Sequence, residues 1–330
     1  MNKTNRILAG LVALQLVVAA VVLWPRPAAS GKSASLLPGV EAGQIVGLTI
    51  TDAQDRTITL ARVDGNWVLP EAGGYPAEDE AVTTLVGEIA GLRTDRLVTQ
   101  TAASHKRLEV AEDEFQRRID VELADGTTQR LYVGNSPSWR AAHVRADGQD
   151  EVYLTSDLTA QDVGVEATAW VDPVYFSVER DQIVRLTIEN AQGSLDLVKE
   201  GETWTLEGLP AGETLDETKL NGLLSRVTSV SLREPLGKDD AAAYGLDDPL
   251  AVVTIYLDDG SSQALRVGSQ DPEDNSYVVL ASSSDYYVRV NEYSVQSFVE
   301  YGLQDLLVPP PTQAPEEGPA PAPESSPEAP

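Results

Sequence analysis

Residues 40–50 read V-E-A-G-Q-I-V-G-L-T-I and residues 178–188 read V-E-R-D-Q-I-V-R-L-T-I, identical at eight of eleven positions at an offset of 138. The match extends outward. Trp67 answers to Trp204, one residue out of step, and Val82, Leu85, Val86, Ile89 and Leu92 answer to Leu220, Leu223, Leu224, Val227 and Val230. Leu108 answers to Leu246 at the same offset of 138. After a four-residue deletion the offset is 134, and Gly126, Val133, Gly134, Tyr153 and Val165 meet Gly260, Val267, Gly268, Tyr287 and Val299. Solenoid repeats recur at about 20–50 residues, so a period this long reads as duplication of a whole domain.

Each copy opens with alternating apolar residues, Ile45 to Thr51 and Arg56 to Val63 in the first, Val184 to Glu189 and Ser194 to Lys199 in the second. Turns at Asp64-Gly65-Asn66 and Glu200-Gly201-Glu202 lead into Trp67-Val68-Leu69 and Trp204-Thr205-Leu206. A helix follows, with apolar residues at the same spacings in both copies and Asp216 at the N-cap of the second. Strands are then expected at 118–123, 129–133, 142–145 and 152–155, matched by 252–257, 263–267, 277–281 and 286–290, with Asp-Gly turns at 125–126 and 259–260. Short helices over 159–169 and 295–303 close the copies. The order β-β-β-α-β-β-β-β-α predicts an α+β fold of mostly antiparallel sheets, each with a packed helix, in two tandem modules at residues 37–172 and 173–308. The duplicated tryptophans read as core plugs beneath the helices.

Residues 7–24 form an apolar run broken only by Gln15, preceded by Lys3 and Arg6 and closed by Trp24. At about 1.5 Å per residue an 18-residue helix spans about 27 Å, close to the ~30 Å of a hydrocarbon core. Residues 1–36 therefore read as a signal anchor and linker, with the N-terminus cytoplasmic and the body outside. A cleaved signal peptide ending at Ala28-Ala29-Ser30 is the alternative, although such peptides carry an apolar region of only about 7–15 residues. At the other end, residues 309–330 hold nine prolines and four glutamates and no aliphatic side chain larger than alanine, a composition expected to stay disordered.

Four of the 24 basic residues lie in positions 1–32 with no acidic residue among them, so the rest carries 20 basic against 52 acidic side chains, a net charge of −32. Phosphate neutralisation needs clustered Lys and Arg, so nucleic acid is excluded as a partner. An acidic body is also repelled by anionic lipid heads. The chain has no cysteine, which removes disulfides, thiolate catalysis and Cys-based metal sites.

No recognisable catalytic motif is present. His105 and His143 lack a histidine three or four positions away and read as surface or packing residues. Asp271-Pro272-Glu273-Asp274-Asn275 has oxygen ligands at alternate positions, but Ser276 and Ser282 stand where a calcium loop needs glycine and a bidentate glutamate. Val133-Gly134 and Val267-Gly268 read as bends at strand ends. No catalytic, cofactor-binding or metal-ligating set is assigned.

Tyr244-Gly245-Leu246-Asp247-Asp248-Pro249, followed by the strand 253–257, the turn Asp259-Gly260 and a strand ending in Val267-Gly268, resembles the DUF4340 family, which shows a Y-G-L-D-x-P box, a strand, a D-G turn and a strand ending in V-G. The opening Ile-Val-x-Leu-Thr-Ile and the two strand-borne tryptophans fit it as well, and the resemblance covers roughly residues 37–305. The first copy departs at the box, where Arg107-Leu108-Glu109-Val110 stands. Tyr244, Leu246, Asp247 and Pro249 are the candidate interaction surface, and a turn with an aromatic anchor is the other reading of the box. The resemblance implies a membrane-anchored protein with repeated extracytoplasmic domains, found alongside gliding-type ABC transporter components, whose membrane subunits become the implied partners. It brings no catalytic residue and no cofactor.

The leading expectation is thus a non-enzymatic scaffold or interaction subunit of an envelope transport complex. A ligand-binding module for cell-envelope glycan or another small molecule is the second, with Tyr277, Tyr286, Tyr287 and Tyr293 as its aromatics. An acid-rich hydrolase is the third.

Overall fold

The computed structural model describes residues 33–309, and these divide into two compact units, 33–70 with 76–170 and 71–75 with 171–309. In the first, β1 (Ile45–Asp52), β2 (Thr57–Val63) and β3 (Asn66–Leu69) precede α1 (Asp79–Gly91), with β4 (Tyr75–Pro76) straddling the boundary between the units. β5 (Leu97–Thr99), β6 (Arg117–Leu123), β7 (Thr128–Val133), β8 (Ala142–Ala146) and β9 (Val152–Thr155) follow. The strands form one sheet in the order β4-β3-β2-β1-β6-β7-β8-β9-β5.

The second unit begins with β10 (Val174–Ser177), β11 (Ile183–Asn190), β12 (Gly193–Glu200) and β13 (Thr203–Leu206), followed by α2 (Glu217–Thr228). It continues through β14 (Ser229–Gly237), β15 (Ala251–Leu257), β16 (Ser262–Gln270), β17 (Tyr277–Ala281) and β18 (Tyr287–Val290), and ends in α3 (Glu292–Glu300). Its sheet runs β10-β14-β18-β17-β16-β15-β11-β12-β13. Matched strand by strand from β3 and β13 to β5 and β14, the two orders coincide.

The agreement reaches the register. β1 pairs antiparallel with β6, Ile45 opposite Leu123, with an irregularity between Ile45 and Gly47. β11 pairs antiparallel with β15, Ile183 opposite Leu257, with the same irregularity between Ile183 and Arg185. A bulge twists the strand and re-aims its side chains, so sharing one fixes which face of each sheet is buried. Ile119, Val121 and Leu123 line the first core, and Ala251, Val253, Ile255 and Leu257 the second. α1 buries Val82, Leu85, Val86 and Ile89 on one face, and α2 buries Leu220, Leu223, Leu224 and Val227. Asp216 caps α2 as expected, accepting from the backbone N–H groups of Thr218 and Lys219 at 2.8 and 3.2 Å.

Four sequence expectations are corrected. Residues 159–169 are irregular apart from a 3-10 turn at Ala167–Ala169. Asp162 folds back onto the Thr159 N–H and hydroxyl (2.8 and 2.7 Å), and Gly164 offers its carbonyl to the Trp170 indole N–H (2.9 Å), so the local groups are satisfied without a helix. β14 was not expected: Val230, read as the last apolar position of the helix, lies instead on this strand, which also contains Pro235. Its pairing with β18 shifts between Pro235 and Gly237, which accommodates the missing donor. Trp67 is buried, but Trp204 is half-exposed and plugs its core only in part.

The fourth correction concerns the V-G glycines. A Cβ on Gly134 would lie 2.1 Å from the Leu108 carbonyl oxygen, and one on Gly268 would lie 2.0 Å from that of Tyr244. Another stretch of backbone crosses directly over both; Gly268 lies inside β16 and not at its end, and the β16–β17 register shifts there between Val267 and Gln270.

Among the described residues no helix is long and apolar enough to cross a membrane. The anchor expected over residues 7–24 lies outside them, as does the tail beyond Pro309.

The crowding sets a testable contrast. Gly134→Ala and Gly268→Ala must displace backbone, and each should lower stability in urea titrations by at least about 2 kcal/mol. Gly87→Ala, on a helical position with nothing within 4 Å of the new Cβ, should raise stability by about 0.5–1 kcal/mol.

Candidate functional site

The Y-G-L-D-x-P box buries only its leucine, and both of its aspartates are exposed. Tyr244 ends a 3-10 turn, Gly245 is left-handed at φ 65°, and Leu246 is only 4% exposed. The Tyr244 ring lies 5.2 Å from that of Tyr287, tilted by 43°. The Ser269 hydroxyl donates to the Ala243 carbonyl at 2.5 Å. Asp247 is exposed and Pro249 half-buried. Of the four residues expected to share a contact surface, Leu246 is buried, Tyr244 and Pro249 are half-buried, and Asp247 is at the surface.

The first unit keeps this geometry without its residues. Leu108 lies over Gly134 as Tyr244 lies over Gly268, Glu109 is left-handed at φ 56° where Gly245 stands, and Val110 is buried where Leu246 is. The structural offset is therefore 136 here, and Leu246 matches Val110, not Leu108. A left-handed non-glycine residue costs about 1–2 kcal/mol.

His105 donates from Nε2 to the Asp150 carbonyl at 3.0 Å, and His143 Nδ1 reaches the carbonyl of Asn135 at 2.9 Å. Both are buried packing residues. The acidic loop at 271–275 is tied down internally. Asp271 pairs with Arg289 at 3.0 Å, Asp274 pairs with Arg233 at 2.7 Å, and their remaining oxygens accept from the backbone N–H groups of Glu273 and Ser276. Among the described residues no group of three or more His, Asp or Glu side chains is placed to hold a metal ion.

The four tyrosines of the ligand-binding reading stand in different surroundings. Tyr277 is buried. Tyr286 stands edge-on to Tyr75 at 4.8 Å and donates to the Gly74 carbonyl at 2.8 Å. Burial, reinforced by Tyr175, Asp172 and Tyr286, pushes the Tyr75 hydroxyl up to about 12. Tyr175 donates to the Tyr286 carbonyl (2.7 Å) and accepts from the Ala281 N–H (2.9 Å), so these phenols are structural. Tyr293 is exposed, with the Arg226 guanidinium 5.0 Å from its ring centre.

A cleft that sequence reading missed lies in the first unit, on the exposed side of α1. Three cavities of about 530, 360 and 300 Å³ share Glu88 as a wall. Around it stand Trp139, Arg140, Ser136, Ser138, Ser156, Asp157, Thr159 and Asp162. Trp139 is 88% exposed, and the Arg140 guanidinium lies 5.3 Å from its ring centre. Arg140 is itself left-handed at φ 56°. Burial, with the charges of Asp162 and Asp157, holds the Glu88 carboxyl above its ordinary value of 4.5. The one available sequence signal was Ser136-Pro137-Ser138-Trp139-Arg140, a tryptophan isolated in a polar loop. Chemically the part of the cleft around Trp139 offers an apolar ring face, hydroxyls, the carboxylates of Glu88, Asp157 and Asp162 and the Arg140 guanidinium.

The family comparison places this scaffold. The DUF4340 family, a domain of unknown function, matches residues 67–249, more than half of the chain, and the chain belongs to that family. The match is single and narrower than the expected 37–305. No curated protein and no solved structure matches the chain.

Two predictions follow from these sites. Glu109→Gly removes the left-handed strain and should stabilise the first unit by up to about 1 kcal/mol in denaturant titrations. For Glu88, a folded-state pKa above the unfolded one means that stability is greatest where the carboxyl is protonated in both states and falls as pH rises through the unfolded and then the folded value. Glu88→Gln should therefore raise the melting temperature at pH 7 and leave it unchanged at about pH 3.5.

Proposed function

We propose that this protein is a non-enzymatic interaction subunit, held to the plasma membrane by residues 7–24 with its N-terminus cytoplasmic. On this reading its two units are tandem DUF4340-like copies, 37–172 and 173–308, standing outside the cytoplasm as accessory to an ABC-type envelope transporter.

The observation that carries the interaction reading is the edge of the first sheet. β5 ends the strand order, and Leu97 and Val98 on it are 47% and 43% exposed. β5 is only three residues long, and the apolar side chains exposed on this edge are what a partner strand would cover. Family membership and the shared topology of the two sheets support a scaffold that presents surfaces. The partner proposed for the edge is an extracytoplasmic segment of a transporter membrane subunit.

Crosslinking of intact cells, pull-down on a C-terminal tag and mass spectrometry test this. Transporter membrane subunits should be recovered, and Leu97→Lys with Val98→Lys should reduce their recovery about tenfold. Recovery of self-crosslinks alone would overturn the accessory role.

A further inference from the structure

The cleft beside α1 has a counterpart in the second unit, and the comparison shows what has changed. At the duplication offset of 138, Glu88 corresponds to Arg226. Arg226 lies 5.0 Å from the centre of the Tyr293 ring, so this face of the second unit carries its own cation and its own aromatic cover. The β16–β17 connection there carries Asp271 and Asp274, both engaged by arginines. In the first unit the equivalent connection, between β7 and β8, presents Trp139 to solvent, and the helix presents a carboxyl to a cavity.

The lining narrows the ligand. A lipid or acyl chain needs apolar walls, and the indole is the one large apolar surface in a rim of hydroxyls and carboxylates. Phosphates and nucleotides would meet Glu88, Asp157 and Asp162 against the single Arg140. A sugar ring fits both features: its C–H face stacks on an indole, and its hydroxyls pair with carboxylate, guanidinium and serine groups. Cavities of about 300–530 Å³ lie in the size range of small-ligand sites.

We propose that the cleft formed by Trp139, Arg140, Glu88, Asp157 and Ser156 is a saccharide-binding site for glycans with uncharged or cationic substituents, Trp139 being the stacking platform. The proposal goes beyond the interaction role and does not use the β5 edge.

Calorimetric titration of the full chain, purified in a detergent without a sugar headgroup, tests it. The probes are tetramers of N-acetylglucosamine and of glucosamine, with a galacturonate tetramer as the anionic control and tetralysine as the basic-peptide control. Either amino-sugar tetramer should bind, Trp139→Ala should weaken it at least about tenfold, and Trp139→Phe should stay within about threefold of wild type. Asp157→Asn, on an exposed loop, gives a second variant expected to weaken binding. Co-sedimentation with isolated cell-wall polysaccharide separates an envelope source from a soluble one, and retention by either supports the site. No saccharide binding, binding unchanged in Trp139→Ala, or tetralysine bound in preference to every sugar overturns it. If the Trp139→Ala chain still recovers transporter subunits while no sugar binds, the cleft proposal fails and the accessory role stands.

Discussion

Each sheet is organised by one close approach, a loop carbonyl lying where the Cβ of any residue but glycine would be. Leu108 crosses Gly134 and Tyr244 crosses Gly268. The Asn135 N–H donates to the Leu108 carbonyl at 3.1 Å, so the crossing also satisfies the backbone group it brings inside. It seats Val110 and Leu246 in their cores and fixes where the chain enters β6 and β15. The box and the V-G step are thus two halves of one contact, separated by a hairpin. That explains why the glycines recur while the box residues do not: the glycine must lack a side chain, whereas the crossing strand contributes mainly its carbonyl.

Around this common frame the two units satisfy equivalent positions with different chemistry. Asp52 is fully buried, and it accepts from the N–H groups of Gln54 and Arg56 and from Arg56 Nε at 2.9, 3.0 and 2.8 Å. Burial opposes its charge, but these donors outweigh it and hold the carboxyl below its ordinary value. Its counterpart Asn190 accepts from the Gln192 N–H at 2.8 Å and donates to the Phe298 and Tyr301 carbonyls at 2.8 and 2.9 Å. Both side chains accept from the N–H two residues on, but the connection shortens from residues 53–56 to 191–192, and the amide's extra donor is used because α3 and Tyr301 are there to accept it. Gly47 and Arg185 differ likewise at the shared bulge, where Arg185 reaches Asp196 and lies over the Tyr256 ring.

Duplication and periodicity made the fold largely legible from sequence. The repeat located the sheets, the alternating strands and the helices α1 and α2, because burial of one face imposes a period that survives side-chain divergence. What escaped were features governed by contacts distant in sequence. β14 escaped because its start continues the apolar spacing of α2, and only its pairing with β18 and β10 makes it a strand. Glu109 in the left-handed region carried no signal, since its conformation is imposed by the crossing over Gly134. The cleft escaped for a different reason. Its members come from α1, the β7–β8 connection and the segment after β9, and no spacing along the chain joins Glu88 to Trp139 and Asp157.

The divergence is concentrated where the frame is least constrained. The β7–β8 connection leaves the sheet just after Gly134, so its outer residues can change without disturbing the crossing that holds the core. In the second unit the same connection is pinned by Arg233 and Arg289, which neutralise its carboxylates and add to the order of the loop. In the first unit Trp139 is 88% exposed, an arrangement that contributes little to folding because the ring removes almost none of its surface from water. A large indole in that position gains stabilisation only when something covers it. Strong net negative charge keeps such an exposed ring from driving self-association, so the acidic body and the open cleft are physically compatible parts of one surface.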